Sequence, residues 1–293
     1  MTTQAWDAYW ADPTTTNSFA FDYTETEGPY GTLNQFWLDV FAAFKDSDIV
    51  VDLAAGNGAL ATLFTQSRTE LNCAAWVNID SATAKPDKLH DKITFAQQNI
   101  EQLELADASV DHFVSMYGFE YSDITKSFSQ IVRCLKPHGR FAIFMHHPDA
   151  IITKQSKVSI TAFNQVLKDP FWQTIHTCER LSFPELKNRL LQNLNLHLQS
   201  VATEGQDDIK LIGQNIFYLL QSNNNVGWCV AQLQKLRQGI LLQVERLTQQ
   251  IAAAETASML TQKIVLDNQV AWQITTLDFQ GSTLGYCFTG SKN

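Results

Sequence analysis

A parallel α/β sheet, wrapped by helices and interrupted by a long helical segment, is the fold this sequence predicts. Three observations predict it. Between residues 49 and 148, short apolar runs alternate with amphipathic stretches, the pattern of right-handed βαβ units feeding one parallel sheet. From about 149 to 262 the apolar residues fall three and four apart almost throughout, which is helical periodicity. From 263 to 293 two β-like runs return around Asp278-Phe-Gln-Gly-Ser, the mark of a terminal hairpin.

Each element follows in order. Residues 1–48 are aromatic-rich and turn-rich, with Trp6, Tyr9, Trp10, Phe19, Phe21, Tyr23 and the turn Gly28-Pro-Tyr-Gly31; a helical pattern begins at Phe36. Ile49-Val-Val-Asp-Leu53 reads as a buried first strand and Ala59–Ser67 as a helix. Ala74–Asp80, Ile93–Ala96, His112–Met116 and Arg140–Met145 read as strands two to five. Ile124–Leu135 is the helix before the fifth, joined to it by Lys136-Pro-His-Gly139 as a turn. Candidate helices of the third region run Pro184–Leu198, Ile209–Gln221 and Trp228–Leu260. In the last, the stripe Leu233, Leu236, Ile240, Val244, Leu247, Ile251, Ala254 fits a coiled-coil seam or a helix in a local bundle, and its short length favours the bundle. Val270–Leu277 and Leu284–Thr289 are the hairpin strands. The expected division is therefore 1–48 as an aromatic N-terminal segment with a helix, 49–148 as the core, 149–262 as a helical insertion, and 263–293 completing the sheet.

Composition narrows the function classes. The 293 residues are 45% hydrophobic and 11% aromatic, enough for a large core in one domain or two. Lys plus Arg number 21 against 30 Asp plus Glu, a net charge of −9, which argues against gripping a phosphate backbone. The acidity is uneven: residues 150–265 carry 11 basic against 8 acidic side chains, so an acceptor bearing a carboxylate or phosphate is compatible with the insertion. Five scattered cysteines form no C-x-x-C pair, and no His/Asp/Glu grouping has zinc spacing, so neither a disulfide framework nor a metal is expected. The start carries no signal-peptide pattern, and no apolar run approaches the ~20 residues of a membrane span. The chain reads as cytoplasmic.

The chemistry concentrates at Asp52-Leu-Ala-Ala-Gly-Asn-Gly58, where a strand runs into glycines and then a helix. Such a loop brings backbone close to a ligand and adds helix-start amides. Gly56 to Ala61 also parses as G-x-G-x-x-A, a dinucleotide fingerprint with Asp80 at about the right distance. Asp52 separates the two readings: a carboxylate is unwelcome beside a pyrophosphate and useful beside an amino or sulfonium group. Asp80, ending the second strand, can accept both hydroxyls of a ribose. Asn99 can meet an adenine edge while Ile100 offers the ring an apolar surface.

With these residues in view, the chain resembles the class I S-adenosylmethionine-dependent methyltransferases. The matching stretches are Asp52–Gly58, Asn78-Ile-Asp80, Leu105–Ser115 and Leu135–Gly139, and the similarity covers about residues 49–148 and 263–293. The resemblance implies a Rossmann-like doubly wound sheet of about seven strands, the last antiparallel, with the helical insertion after strand five. It implies that Gly56 and Gly58 surround the methionine part of the cofactor, Asp80 holds its ribose and Asn99 touches its adenine. Asp52, Ala54, Ser81, Ile100 and Met116 complete the cofactor-binding set. Two positions depart from the family: Ala54 stands at its usual first glycine, and Asn99 at its usual acid.

Methyl transfer from a sulfonium is an in-line displacement, and a hydroxyl acceptor also needs a base. His146 or His147, after strand five, can serve as that base or simply pack the strand end. Tyr117, Glu120 and Tyr121, after strand four, can orient an acceptor, or Tyr117 can cover the methionine moiety. The N-terminal aromatics, with Tyr23 and Tyr30, and the insertion, with Phe171, Trp172, Phe217 and Trp228, are the candidate roof of the site, the insertion equally a homodimer element. The leading expectation is methylation of a small molecule at oxygen or nitrogen. The alternatives are a nucleic-acid or protein methyltransferase docking through the insertion, a non-catalytic scaffold, and a nicotinamide dehydrogenase that Asp52 and the hairpin disfavour.

Overall fold

A computed structural model describes residues 4–11, 25–67, 73–83, 91–260 and 269–293. Its sheet has seven strands: β1 Ile49–Leu53, β2 Ala75–Asp80, β3 Ile93–Gln97, β4 Val110–Met116, β5 Leu135–Met145, β6 Val270–Phe279 and β7 Ser282–Lys292. Their order is β3-β2-β1-β4-β5-β7-β6, with β1 to β5 parallel and β7 antiparallel to both neighbours. The expected Rossmann-like sheet with a reversed last strand is what forms. The hairpin closes at Gln280 and Gly281, both left-handed, as a two-residue turn matched to the strand twist.

The helices of this unit are α1 Gln4–Trp10, α2 Gly28–Phe41, α3 Ala59–Gln66 and α4 Ile124–Cys134. Strand alternation divides the core between the two faces of the sheet. Val51, Leu53, Phe113, Phe141, Ile143 and Met145 pack with Phe128 and Ile131 of α4. Val50, Trp76, Val114, Ala142 and Phe144 pack with Trp37 and Phe41 of α2 and Phe64 of α3. Period-two geometry therefore places Asp52 on the face of Val50, and Asp80 on the face of Trp76, at the ends of paired strands. Both strand interiors are covered, which is why they read as continuous apolar runs.

Two local expectations are corrected. The turn Gly28–Gly31 is the first turn of α2, eight residues before the helical pattern at Phe36 becomes legible, because Pro29 fits a helix start without losing a needed amide. Lys136–Gly139 is no free turn either. Strand β5 begins at Leu135, directly after α4, and these four residues bulge between the pairs Val110↔Leu135 and His112↔Arg140. Lys136 Nζ reaches Asp111 Oδ2 at 2.7 Å across that bulge.

Contacts divide the chain into two compact units: Met1–Thr153 with Gln250–Asn293, and Lys154–Gln249. The second is helical, built from α5 Ile151–Lys168, α6 Pro170–Gln173, α7 Phe183–Ser200, α8 Gln206–Ser222 and the first two-thirds of α9 Val226–Ser258. The sequence singled out neither α1 nor α5. Leu233, Ile240 and Leu247 of the stripe join one apolar cluster with α5, α7 and α8, a local bundle. Trp172 is fully buried in that cluster, its Nε1–H donating to Asn193 Oδ1 at 2.8 Å, whereas Phe217 and Trp228 are exposed.

Candidate active site

A cavity opens at the carboxyl ends of β1, β2 and β4, where the strand order reverses direction. That is the position where open α/β sheets bind ligands. With a volume of about 240 Å³, it is lined by Asp52, Ala54, Asp80, Ser81, Asn99, Ile100, Met116 and Tyr117 among others. Seven of the nine expected cofactor residues therefore share one wall, and Gly56 and Gly58 lie in the loop behind it.

The loop is shaped by Asp80. Its Oδ2 accepts the Gly56 N–H at 2.7 Å and its Oδ1 the Ala82 N–H at 2.8 Å. Burial pushes its carboxyl up, while these amides and that of Ser81 pull it back down. Asp52 has no such help. It is fully buried, its Oδ2 has no hydrogen-bond partner, and burial followed by the charge of Asp80 pushes its carboxyl well above the usual range. Asp80 is therefore the member of the pair that ionises first, and Asp52 the one that keeps its proton until a cation arrives.

Gly56 adds a contact that the sequence did not suggest. It is left-handed, with φ +52°, and a Cβ there would strike the indole of Trp10. The space that glycine opens is filled by this protein's own N-terminal helix. Ala54 is also left-handed (φ 53°), a backbone conformation that favours glycine. Its methyl group sets a second requirement: a Cβ at Gly118 would lie 2.5 Å from Ala54 Cβ. Gly118→Ala is expected to destabilise the protein by roughly 1–3 kcal/mol through overpacking. Adding Ala54→Gly should recover part of that loss in urea unfolding, so the two changes will not add.

Asn99 and Ile100 follow β3. Asn99 Oδ1 accepts the Glu101 N–H at 2.9 Å, which leaves its amide nitrogen for a ligand. The loop beyond is fastened by Arg133, whose guanidinium donates to the carbonyls of Leu103 and Leu105 and to Asp107.

Of the four candidate catalytic residues, only Tyr117 reaches the cavity. Its backbone is left-handed (φ 56°), its ring lies 4.4 Å from that of His146, and its hydroxyl donates to the Leu284 carbonyl at 3.2 Å. Burial, with Glu120 and Tyr30 nearby, pushes the phenol far above its ordinary value, so it is no base at neutral pH. Glu120 and His146 are buried together behind it. Glu120 Oε1 stands 2.6 Å from His146 Nδ1 and accepts the His146 N–H at 2.8 Å. His147 packs its ring 4.3 Å from Tyr286 and takes the Asp149 N–H on Nδ1.

The expected aromatic roof is carried by other residues of the same segment. Trp6 and Trp10 line the cavity, as does Tyr121, which meets Trp6 edge-on at 5.2 Å. Tyr30 is half-buried against the α2/α3 face of the sheet, and Tyr23 lies outside the described residues. The signal was present as an aromatic cluster, but nothing in the sequence set the path that returns it to the sheet.

The strand order and the switch-point cavity define the fold class of the core: a Rossmann-like doubly wound α/β sheet with a reversed last strand. A family model described as a methyltransferase domain matches residues 51–143. The ubiquinone/menaquinone biosynthesis C-methyltransferase of Bartonella bacilliformis is 31% identical over 100 residues, 31% of this chain and 38% of that protein. The chain thus spans well under half the length of the curated relative it matches. A chain of the complex between the Haloferax volcanii Trm112 methyltransferase activator and a methyltransferase is 24% identical at a TM-score of 0.37, covering 48% of this chain and 60% of that one. The YcgJ protein of Bacillus subtilis is 16% identical at a TM-score of 0.37, covering 90% and 99%.

Proposed function

We propose that this protein transfers the methyl group of S-adenosylmethionine to an oxygen or nitrogen of a small-molecule acceptor. The observation that carries the reading is Asp52, a buried carboxylate with an unpartnered oxygen in the cavity wall. A buried carboxylate of this kind is matched by a cationic ligand and ill matched by a pyrophosphate. The residues present fit the cofactor: Asp52 would hold its ammonium, Asp80 its ribose hydroxyls, and Asn99 and Ile100 its adenine. Bound there, the cofactor supplies a methyl group on sulfonium, which an acceptor lone pair takes as the carbon–sulfur bond electrons return to sulfur.

The acceptor reading follows from the same wall. It contains no lysine, arginine or histidine among the described residues, which favours a neutral or cationic small molecule over a phosphate-bearing polymer. With His146 and His147 away from the wall and Tyr117 held neutral, an acceptor that attacks without protein deprotonation, such as a free amine, suits it best. A general base is worth ~100-fold or more, so His147→Ala is expected to change kcat by less than about threefold. A hundredfold fall would instead restore His147 as the base. A carbon acceptor is the second reading, favoured by the name of the Bartonella relative.

Thermal shift with S-adenosylhomocysteine and NAD in parallel tests the cofactor. Stabilisation by the first alone is expected; stabilisation by NAD alone would overturn the reading.

A further inference from the structure

Helix α1 stands outside the region that the methyltransferase model matches, yet it contributes Trp6 and Trp10 to the lining of the cofactor cavity. At one end the Trp10 indole rests on Gly56, in the loop assigned to the methionine part. At the other, Asp7 Oδ1 accepts the Thr83 N–H at 2.9 Å, three residues past Asp80, and the charge of Asp7 is felt at Asp80. Between them Trp6 lines the cavity against Tyr121 and stacks on Trp10 at 6.3 Å, while Ala5 is buried beneath.

A helix of seven residues is not stable by itself, since isolated helices shorter than ~12–15 residues are marginal in water. It holds its shape through this docked aromatic face. Its attachments include an exposed hydrogen bond and rings that are only half-buried, contacts of the kind that release readily. With α1 in place, Trp6 and Trp10 form part of the lining that encloses the cavity. Cofactor exchange therefore calls for α1 to swing away, and a bound cofactor calls for it to return.

We propose that α1 is a strap across the cofactor cavity, anchored by Trp10 on Gly56 and Asp7 on Thr83, whose release sets the rate at which cofactor leaves. The inference rests on the cofactor assignment above.

The test is the dissociation rate of radiolabelled S-adenosylhomocysteine from the full chain, measured by rapid dilution into unlabelled ligand. Trp10→Ala is expected to speed release roughly tenfold, since contacts that hold a ligand in act mainly on dissociation. Asp7→Ala, at a half-buried position outside the core, should speed it roughly threefold to fivefold. The unliganded melting temperature of both should stay within about 3 °C of the parent, because neither side chain supports the sheet. Unchanged or slower release in both variants would overturn the strap while leaving the cofactor assignment standing. Failure of the parent protein to bind S-adenosylhomocysteine would overturn both.

Discussion

Asp80→Ala is expected to lower affinity for S-adenosylhomocysteine by roughly two to three orders of magnitude, measured by titration calorimetry. Two losses combine. The ribose loses the carboxylate assigned to its hydroxyls, at ~1.5–3 kcal/mol for each charge-assisted bond. The loop also loses its organiser, because the Gly56 and Ala82 amides both donate to Asp80 and would be left buried without an acceptor. The second loss should be visible without ligand, as a fall of several degrees in melting temperature, since ~1 kcal/mol moves a domain of this size by about 2–4 °C. Unchanged affinity would remove Asp80 from its role. A lower melting temperature with unchanged affinity would leave it only the loop.

Asp52→Asn should have opposite effects on stability and binding. Burial raises the folded-state pKa of Asp52 above its unfolded value, so the folded state binds the proton more tightly. Stability is therefore greatest at low pH and declines as pH rises between the unfolded and folded values. An amide has no proton to lose there and costs less to bury than an unpaired carboxylate. Asp52→Asn is thus expected to raise the unliganded melting temperature at neutral pH, by ~3–6 °C for a gain of 1–2 kcal/mol, and to flatten its pH dependence. Binding should fall by roughly tenfold or more. In the parent, a cationic ligand holds Asp52 ionised, so below the free-state pKa binding should release a proton and tighten as pH rises. Calorimetry in two buffers of different ionisation enthalpy reads that proton. A variant that binds as well as the parent would show that Asp52 faces no cation.

The trade between the two properties is intelligible from position. Asp52 sits where β1 meets the reversal of strand order, in the cavity lining, with its Oδ2 buried and without a hydrogen-bond partner. Active sites commonly hold groups whose ionisation is displaced by burial, and here burial, followed by the charge of Asp80, displaces Asp52. The neighbouring Asp80 is also buried, but the amides of Gly56, Ser81 and Ala82 are within its reach.

Much of this was legible in the sequence for local reasons. Strand β1 announced itself because both its faces are covered, and the Asp52–Gly58 loop because a strand, glycines and a helix start must be contiguous to make it. Asp80 was legible because it ends a strand that pairs with β1. The Glu120–His146 pair was not. Both residues were noticed as possible catalysts, yet their sequence neighbourhoods carry no sign that they would turn inward and meet at 2.6 Å. The start of α2 was obscured because Gly28 and Pro29 serve a turn and a helix opening equally well. Trp10 escaped because its partner, Gly56, is 46 residues away and carries no side chain to suggest one.

By itself, then, the sequence determined the order of strands and helices along the chain, the reversed hairpin and most of the residues that line one wall of the cavity. These depend on apolar periodicity, on glycine and proline at chain reversals, and on residues adjacent in the chain or on paired strands. Only the tertiary structure decided which side chains share the cavity with that wall and which are shut behind it. Whether Tyr117 faces a ligand while His146 does not, or whether Trp10 fills the hollow over Gly56, depends on how separate segments pack. Packing is fixed by mutual burial of distant residues, a property no single stretch of chain contains.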